Sequence, residues 1–216
     1  MSIAAFAPAG RSGRRLHPLA VRIMHWTNAV AMLIMITSGW GIYNDDVIIR
    51  GLHFSQYLRL GDWAAWSLNW HFAGMWLLTI NGIIYFAYGI FSGHFRRTLF
   101  PVGPAAILRD AIAALQFRLP HRLGAYNAVQ KTLYLGVLAV GVIMVLSGLA
   151  IWKPAQFQEL TWLFGGFDAA RVIHFLGMTA IVLFLMVHIA LVIIVPRTLP
   201  TMITGRASAD EVHDES

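Results

Sequence analysis

Residues 174–188 read HFLGMTAIVLFLMVH. Two histidines bracket thirteen residues of which only Thr179 is appreciably polar. Extended over 172–195, the run supplies the roughly 20 apolar residues, at about 1.5 Å each, that a helix needs to cross a bilayer. Fourteen residues of α-helix turn through about 1400°, so His174 and His188 share one face, about 40° apart around the axis and about 21 Å apart along it. Ionisable or metal-binding groups are costly in hydrocarbon, which makes both imidazoles functional candidates.

Working outward, three more stretches are long and apolar enough to span: roughly 24–43, 71–91 and 132–152. The 216 residues are 58% apolar and only 12% charged, whereas a soluble domain carries about 25% charged residues. The expected fold class is therefore all-α, an integral membrane four-helix bundle. The basic stretch RSGRRLHPLAVR before the first span has the flavour of a signal peptide. The apolar run that follows is too long, and no small-residue cleavage site precedes GIYNDD, so it reads as a retained span. Domain organisation follows: a basic tail over 1–23, one transmembrane domain over 24–197 and a C-terminal tail over 198–216.

The net charge of +6 is distributed as topology charge rather than as a nucleic-acid surface. Twelve of the sixteen Lys and Arg fall in the N-terminal tail, the connection between spans two and three, and the C-terminal tail; Arg50, Arg59, Lys153 and Arg171 fall on the other side. The positive-inside rule then puts both termini in the cytoplasm. Two connections read as more than loops. Residues 52–69 mix aromatic and polar side chains and suggest a helix at the outer interface, and 104–118 suggest one at the inner surface, with Pro104 at its start. The acidic end DEVHDES, 210–216, reads as disordered. The chain has no cysteine, which excludes thiolate-bound iron–sulfur clusters, covalent c-type haem and disulfides.

Histidines at matching depths complete the pattern. His25 opens span one at the cytoplasmic side in RIMHWTNA, and His71 opens span two at the outer side in NWHFAGMW. Span four runs inward, so His174 falls at the depth of His71 and His188 toward that of His25. Each pair can supply two axial imidazoles to a haem iron, and a haem with both axial sites filled moves electrons rather than binding substrate. Gly39 lies fourteen residues after His25, on the same face at the outer depth, where a missing side chain admits a macrocycle. Gly74, Gly148 and Gly177 offer the same, or simply close helix packing. His17, His53, His94, His121 and His213 fall in tails or loops and read as solvated or interfacial, the eight tryptophans mostly as interfacial anchors and the nine methionines mostly as packing, although Met can also be an axial ligand. A bridging hydrogen bond between helices is the plain alternative for any single intramembrane histidine.

With RIMHW at 22–26, the span-two histidine and the H-x13-H of the last span, the chain resembles the bacterial cytochrome b561 family. It is likewise similar to the membrane cytochrome b subunits of nickel–iron hydrogenases, formate dehydrogenases and thiosulfate reductases. The resemblance implies two haem b groups, on His25 with His188 at the cytoplasmic side and on His71 with His174 at the periplasmic side. It also implies a multi-pass protein of the bacterial inner membrane, surrounded by lipid. The stretch GAYNAVQK, 124–131, resembles the opening of the third span in formate dehydrogenase cytochromes. Asn127 then stands beside a quinone headgroup, with His121 and Tyr126 nearby, although a helix cap explains the same asparagine. Buried haem propionates need positive partners, for which Arg22 and Arg171 are the candidates, both equally placed as topology charges.

The function implied is electron transfer between a periplasmic oxidoreductase, of molybdenum-dependent or hydrogenase type, and the quinone pool. The outer segments 44–69 and 153–170 would dock that partner. A stand-alone superoxide:ubiquinone oxidoreductase of the cytochrome b561 type is the first alternative. A histidine-lined proton or metal transporter is the second, and the mid-span stretch AIVLFLM, 180–186, offers it no polar path.

Overall fold

The four apolar runs become four long helices, each longer than its apolar core because polar ends extend beyond it. In the computed structural model, which describes residues 17–116, 118, 126–196 and 198–206, these are α1 (Leu19–Asp45), α2 (Ala64–Phe91), α5 (Ala128–Trp152) and α7 (Phe167–Ile194). Short helices α3 (His94–Thr98) and α4 (Pro104–Leu115) join α2 to α5, α6 (Gln158–Leu163) joins α5 to α7, and α8 (Thr198–Thr204) follows α7. No strand occurs among the described residues. The long helices are apolar around their whole circumference, the pattern of a lipid-facing span, whereas α4 is amphipathic. Large apolar side chains accordingly face outward along their length, Val30, Leu33, Ile83, Leu183 and Val187 among them. His121, His213 and residues 210–216 lie outside the described residues.

The bundle is two helix pairs. α1 packs along α2 and α5 along α7, and the pairs approach each other far less closely. Small residues set both close contacts, as expected where lipid tails remove the hydrophobic drive between helices. Gly74 of α2 backs onto Ile34 and Met35 of α1; Gly177 of α7 backs onto Met144 and Val140 of α5. Gly41 and Ser67 bring α1 and α2 together at the end of the bundle away from Leu19 and Ile194. Ser38, Ser67 and Ser147 are fully buried, each small enough to let a neighbouring backbone come close.

The connections differ in part from the sequence expectation. Residues 52–69 hold no interfacial helix: Gln56–Leu58 form one 3-10 turn, capped by Ser55, and the next regular element is α2 itself. Gly51 and Gly61, at φ 85° and 101°, break the chain on either side. The segment is pinned instead by Asn44, whose side-chain amide donates to the Phe54 carbonyl at 2.8 Å and accepts from Phe54 N–H at 3.0 Å. Over 104–118 the expected helix forms as α4. Its Asp110 accepts from Ala128 N–H at 2.9 Å, placing a carboxylate at the positive start of α5.

At the end of the bundle that carries Leu19 and Ile194, α8 folds back on the start of α1. Arg22 donates to the Ile203 carbonyl, Trp26 Nε1 donates to the Met202 carbonyl at 3.2 Å, and His17 N–H reaches Gly205 O at 3.4 Å. α3 is held more tightly: the Phe95 ring lies directly against the bare backbone of Gly89 on α2. Gly89→Ala would push a methyl into a rigid aromatic ring and should cost about 1–3 kcal/mol. At Gly82 a methyl would meet nothing within 4 Å. Thermal melting in detergent should therefore fall for Gly89→Ala and hold or rise for Gly82→Ala.

Candidate haem sites between the helix pairs

The two imidazole pairs meet across the seam between helix pairs. His25 on α1 faces His188 on α7 with ring centroids 6.3 Å apart, and His71 on α2 faces His174 on α7, again at 6.3 Å. α7 contributes to both because its fourteen-residue spacing keeps both rings on one face. His71 and His174 are the more deeply buried rings. His25 and His188 lie nearer the chain termini, His25 edge-on to Trp26 at 5.4 Å and His188 stacked on Phe184 at 5.9 Å.

The four glycines separate by role. A Cβ on Gly39 would stand 3.5 Å from His71 Cε1, and one on Gly148 would stand 3.3 Å from His174 Cε1. Both glycines thus leave room at the edge of an imidazole of the outer pair. Gly74 and Gly177 serve helix packing instead. Two serines that sequence reasoning passed over touch the same rings: Ser38 Oγ lies 3.0 Å from His71 Nδ1, and Ser147 Oγ lies 2.9 Å from His174 Nδ1. The available signal was the Ser-Gly dipeptide, which occurs at 38–39 and again at 147–148 in helices of the two different pairs. Asn81 was also missed; buried on α2, it donates to the Met24 carbonyl at 2.9 Å, one residue before His25.

The family model described as prokaryotic cytochrome b561 matches residues 16–205, so that both imidazole pairs lie within the matched region. The chain belongs to the prokaryotic cytochrome b561 family. Among its relatives is a protein of Azospira oryzae provisionally named protein-methionine-sulfoxide reductase subunit YedZ1. It is 44% identical over 191 residues, covering 88% of this chain and 96% of the relative. A Cupriavidus necator protein named as a probable Ni/Fe-hydrogenase B-type cytochrome subunit is 26% identical, with 78% and 74% covered. Its counterpart in Bradyrhizobium diazoefficiens is 22% identical, with 83% and 78% covered. The chain is thus a multi-pass membrane cytochrome of the b type, built for electron transport.

The residues of this cytochrome fit a haem. An imidazole nitrogen meets a transition-metal ion at about 2.0–2.1 Å, and roughly 1.1 Å more to each ring centre puts two opposed imidazoles about 6.3 Å apart. Both pairs stand at that spacing. Each site offers two facing imidazoles, a donor set that would suit a haem iron. Gly39 and Gly148 keep side chains away from the rings of His71 and His174, as a bulky cofactor held by those rings would require.

The remaining candidates have protein partners of their own. Arg171 pairs with Asp46, by a 2.8 Å ion pair and a second 2.8 Å bond to the Asp46 carbonyl, joining the start of α7 to the end of α1. Arg22 holds α8, and its Nε is buried against that helix with no hydrogen-bond partner among the described residues. Asn127 caps α5: its Oδ1 accepts from Gln130 N–H at 2.8 Å and Gln130 Oε1 accepts from Asn127 N–H at 3.2 Å, a reciprocal capping box. Tyr126 packs edge-on against Tyr134, ring centroids 5.0 Å apart.

His17 sits at this same end. Burial, and then the positive charges of His94 and Arg22, lower its pKa from 6.5. The unfolded chain then binds more protons in acid than the folded one, so the stabilisation is complete above about pH 6.5 and is lost as pH falls below it. The melting temperature in detergent should drop on going from pH 8 to pH 5, and the drop should be smaller in His17→Gln.

Proposed function

We propose that this cytochrome holds two haem b groups and passes electrons across the bacterial inner membrane between a redox enzyme in the periplasm and the quinone pool. His25 and His188 would hold one group and His71 and His174 the other. The observation that carries the reading is the pair of equal 6.3 Å imidazole separations at opposite ends of one bundle. A haem with two axial imidazoles supplies one-electron exchange at its iron and keeps that iron closed to other ligands. The protein's part is to fix the rings, to exclude water with the apolar helices and to place the two sites along one path. Four imidazoles in apolar spans serve this role better than transport, because the described residues between the two levels of α7 are apolar apart from Thr179, whose hydroxyl is spent on the Phe175 carbonyl at 3.0 Å.

The orientation follows the charge count, with both termini in the cytoplasm. His25 and His188 then lie toward the cytoplasm, where Arg22, three residues before His25, is the candidate partner for a propionate and would have to share itself with α8. Arg171, on the periplasmic side, can serve a propionate only by sharing itself with Asp46. A quinone near the cytoplasmic haem needs hydrogen-bonding groups. The Asn127 amide N–H2 is one, since the cap uses only its Oδ1. The Tyr126 phenol is another, kept protonated because burial raises its pKa. An electron moving inward works against about 2.3 kcal/mol per 100 mV of membrane potential.

The names of the relatives point to the kind of partner, an oxidoreductase of the methionine-sulfoxide reductase or hydrogenase type. At the periplasmic end the segments 44–69 and 153–170 expose Tyr57, Trp63, Trp66, Trp162 and Leu163, an aromatic rim on which such a partner can seat.

Haem content and reduced-minus-oxidised spectra of the purified protein test the reading. Two b-type haems per chain are expected. His71→Ala or His174→Ala should remove one and spare the other, and His25→Ala or His188→Ala should remove the remaining one. Well-folded protein without haem, or loss of both haems from every single variant, would overturn it.

A further inference from the structure

The outer imidazole pair differs from the inner one in a way that ligand spacing does not reveal. Ser38 Oγ lies 2.5 Å from the Ile34 carbonyl and Ser147 Oγ lies 2.7 Å from the Ile143 carbonyl, each one helical turn back. A serine has a single hydroxyl proton, and in both cases the short carbonyl contact claims it. Each Oγ is then left with lone pairs only, and toward the facing histidine it can act solely as acceptor. His71 Nδ1 at 3.0 Å and His174 Nδ1 at 2.9 Å must therefore be the protonated nitrogens. Among the described residues no side chain makes such a bond to His25 or His188; their aromatic neighbours are Trp26, Phe184 and each other.

The arrangement is duplicated. Ser38 and Gly39 on α1 hold His71 of α2; Ser147 and Gly148 on α5 hold His174 of α7. In each case the serine oxygen takes the Nδ1 edge, with the Met35 or Met144 carbonyl as a second, weaker acceptor beside it, while the glycine leaves room at Cε1. The second hydrogen bond of each serine runs within its own helix, so the oxygen is fixed in space before the histidine arrives. Both serines are fully buried, which keeps water from replacing the bond.

We propose that Ser38 and Ser147 are positioning residues that lock His71 and His174 as Nδ1–H tautomers, presenting both bare Nε2 atoms inward, and that this bonding lowers the reduction potential of the outer haem. The inference rests on the di-haem reading above. A hydrogen bond accepted from the far nitrogen of a metal-bound imidazole raises the basicity of the ligating nitrogen. A more basic donor favours the more positive, oxidised iron. Removing the acceptor makes the outer haem easier to reduce and leaves the inner one as it was.

The test is a redox titration with low-temperature EPR of the oxidised protein, comparing wild type with Ser38→Ala, Ser147→Ala and the double variant. The signal that disappears in His71→Ala identifies the outer haem. Each single serine variant should raise the reduced-to-oxidised ratio of that haem about tenfold at fixed ambient potential, an upward shift of about 59 mV for one electron. Its EPR g values should move while those of the inner haem stay fixed. Selective loss of the outer haem from the double variant also supports the positioning role. Thr37→Ala is the control: its hydroxyl makes the same turn-back bond, to the Leu33 carbonyl at 2.7 Å, without touching a histidine. An unchanged outer potential and EPR signal in both serine variants, with two haems bound, overturns the proposal and leaves the di-haem reading standing. An equal shift in Thr37→Ala also overturns it, by tracing the effect to the helix. A wild-type protein without haem removes the reading beneath it.

Discussion

Four imidazoles inside an apolar bundle have to face something, and the rest of the structure is organised by that demand. A polar ring in hydrocarbon is expensive unless a partner occupies it. Here the rings face each other in two pairs across a seam, 6.3 Å from centre to centre at both levels. The packing of the helices follows the same division. α1 on α2 and α5 on α7 close up through glycine contacts, and the seam between these pairs stays wide because the imidazoles span it. α7 carries a histidine for each level and so ties the two levels to one rigid rod.

The ends of the bundle are secured by different means. At the far end Arg171 couples α7 to α1 through Asp46, and the loop after α1 is stitched down by Asn44 and by Leu60 N–H, which donates to the Thr37 carbonyl at 3.1 Å. At the end that carries the termini, α8 clasps Arg22 and Trp26, and Asn81 braces the turn of α1 that carries His25. The rings of His71 and His174 are clamped directly by serine hydroxyls, whereas those of His25 and His188 are held by the helices that carry them and by aromatic neighbours. This asymmetry gives the two sites different chemical surroundings although each presents a facing pair of imidazoles.

The sequence by itself determined the class of fold, the four spans and the four histidines. Twenty-residue apolar runs have one stable solution in a bilayer, and a fourteen-residue spacing returns to the same helix face, so span count and ring level can be read without coordinates. Cap chemistry was legible in part: the sequence offered Asn127 as a helix cap, and the structure adds Gln130 as its reciprocal partner in a capping box. The connection 52–69 was misread because its aromatic and polar mixture resembles an interfacial helix, while Gly51 and Gly61 divide it into pieces too short to nucleate one.

What only the tertiary structure decided is which helix meets which. Ser38 and Ser147 are ordinary small residues of a span until α2 and α7 bring an imidazole within 3.0 Å of each, and the divide between Gly39 and Gly148 on one hand and Gly74 and Gly177 on the other depends on what lies opposite. Arg171 read equally well as a topology charge or an anion site until Asp46 stood beside it. The reason is physical: hydropathy and helical period are properties of one segment, whereas a hydrogen bond between helices depends on the rotation and depth of two. Those are set by side-chain packing over the whole interface rather than by either sequence alone.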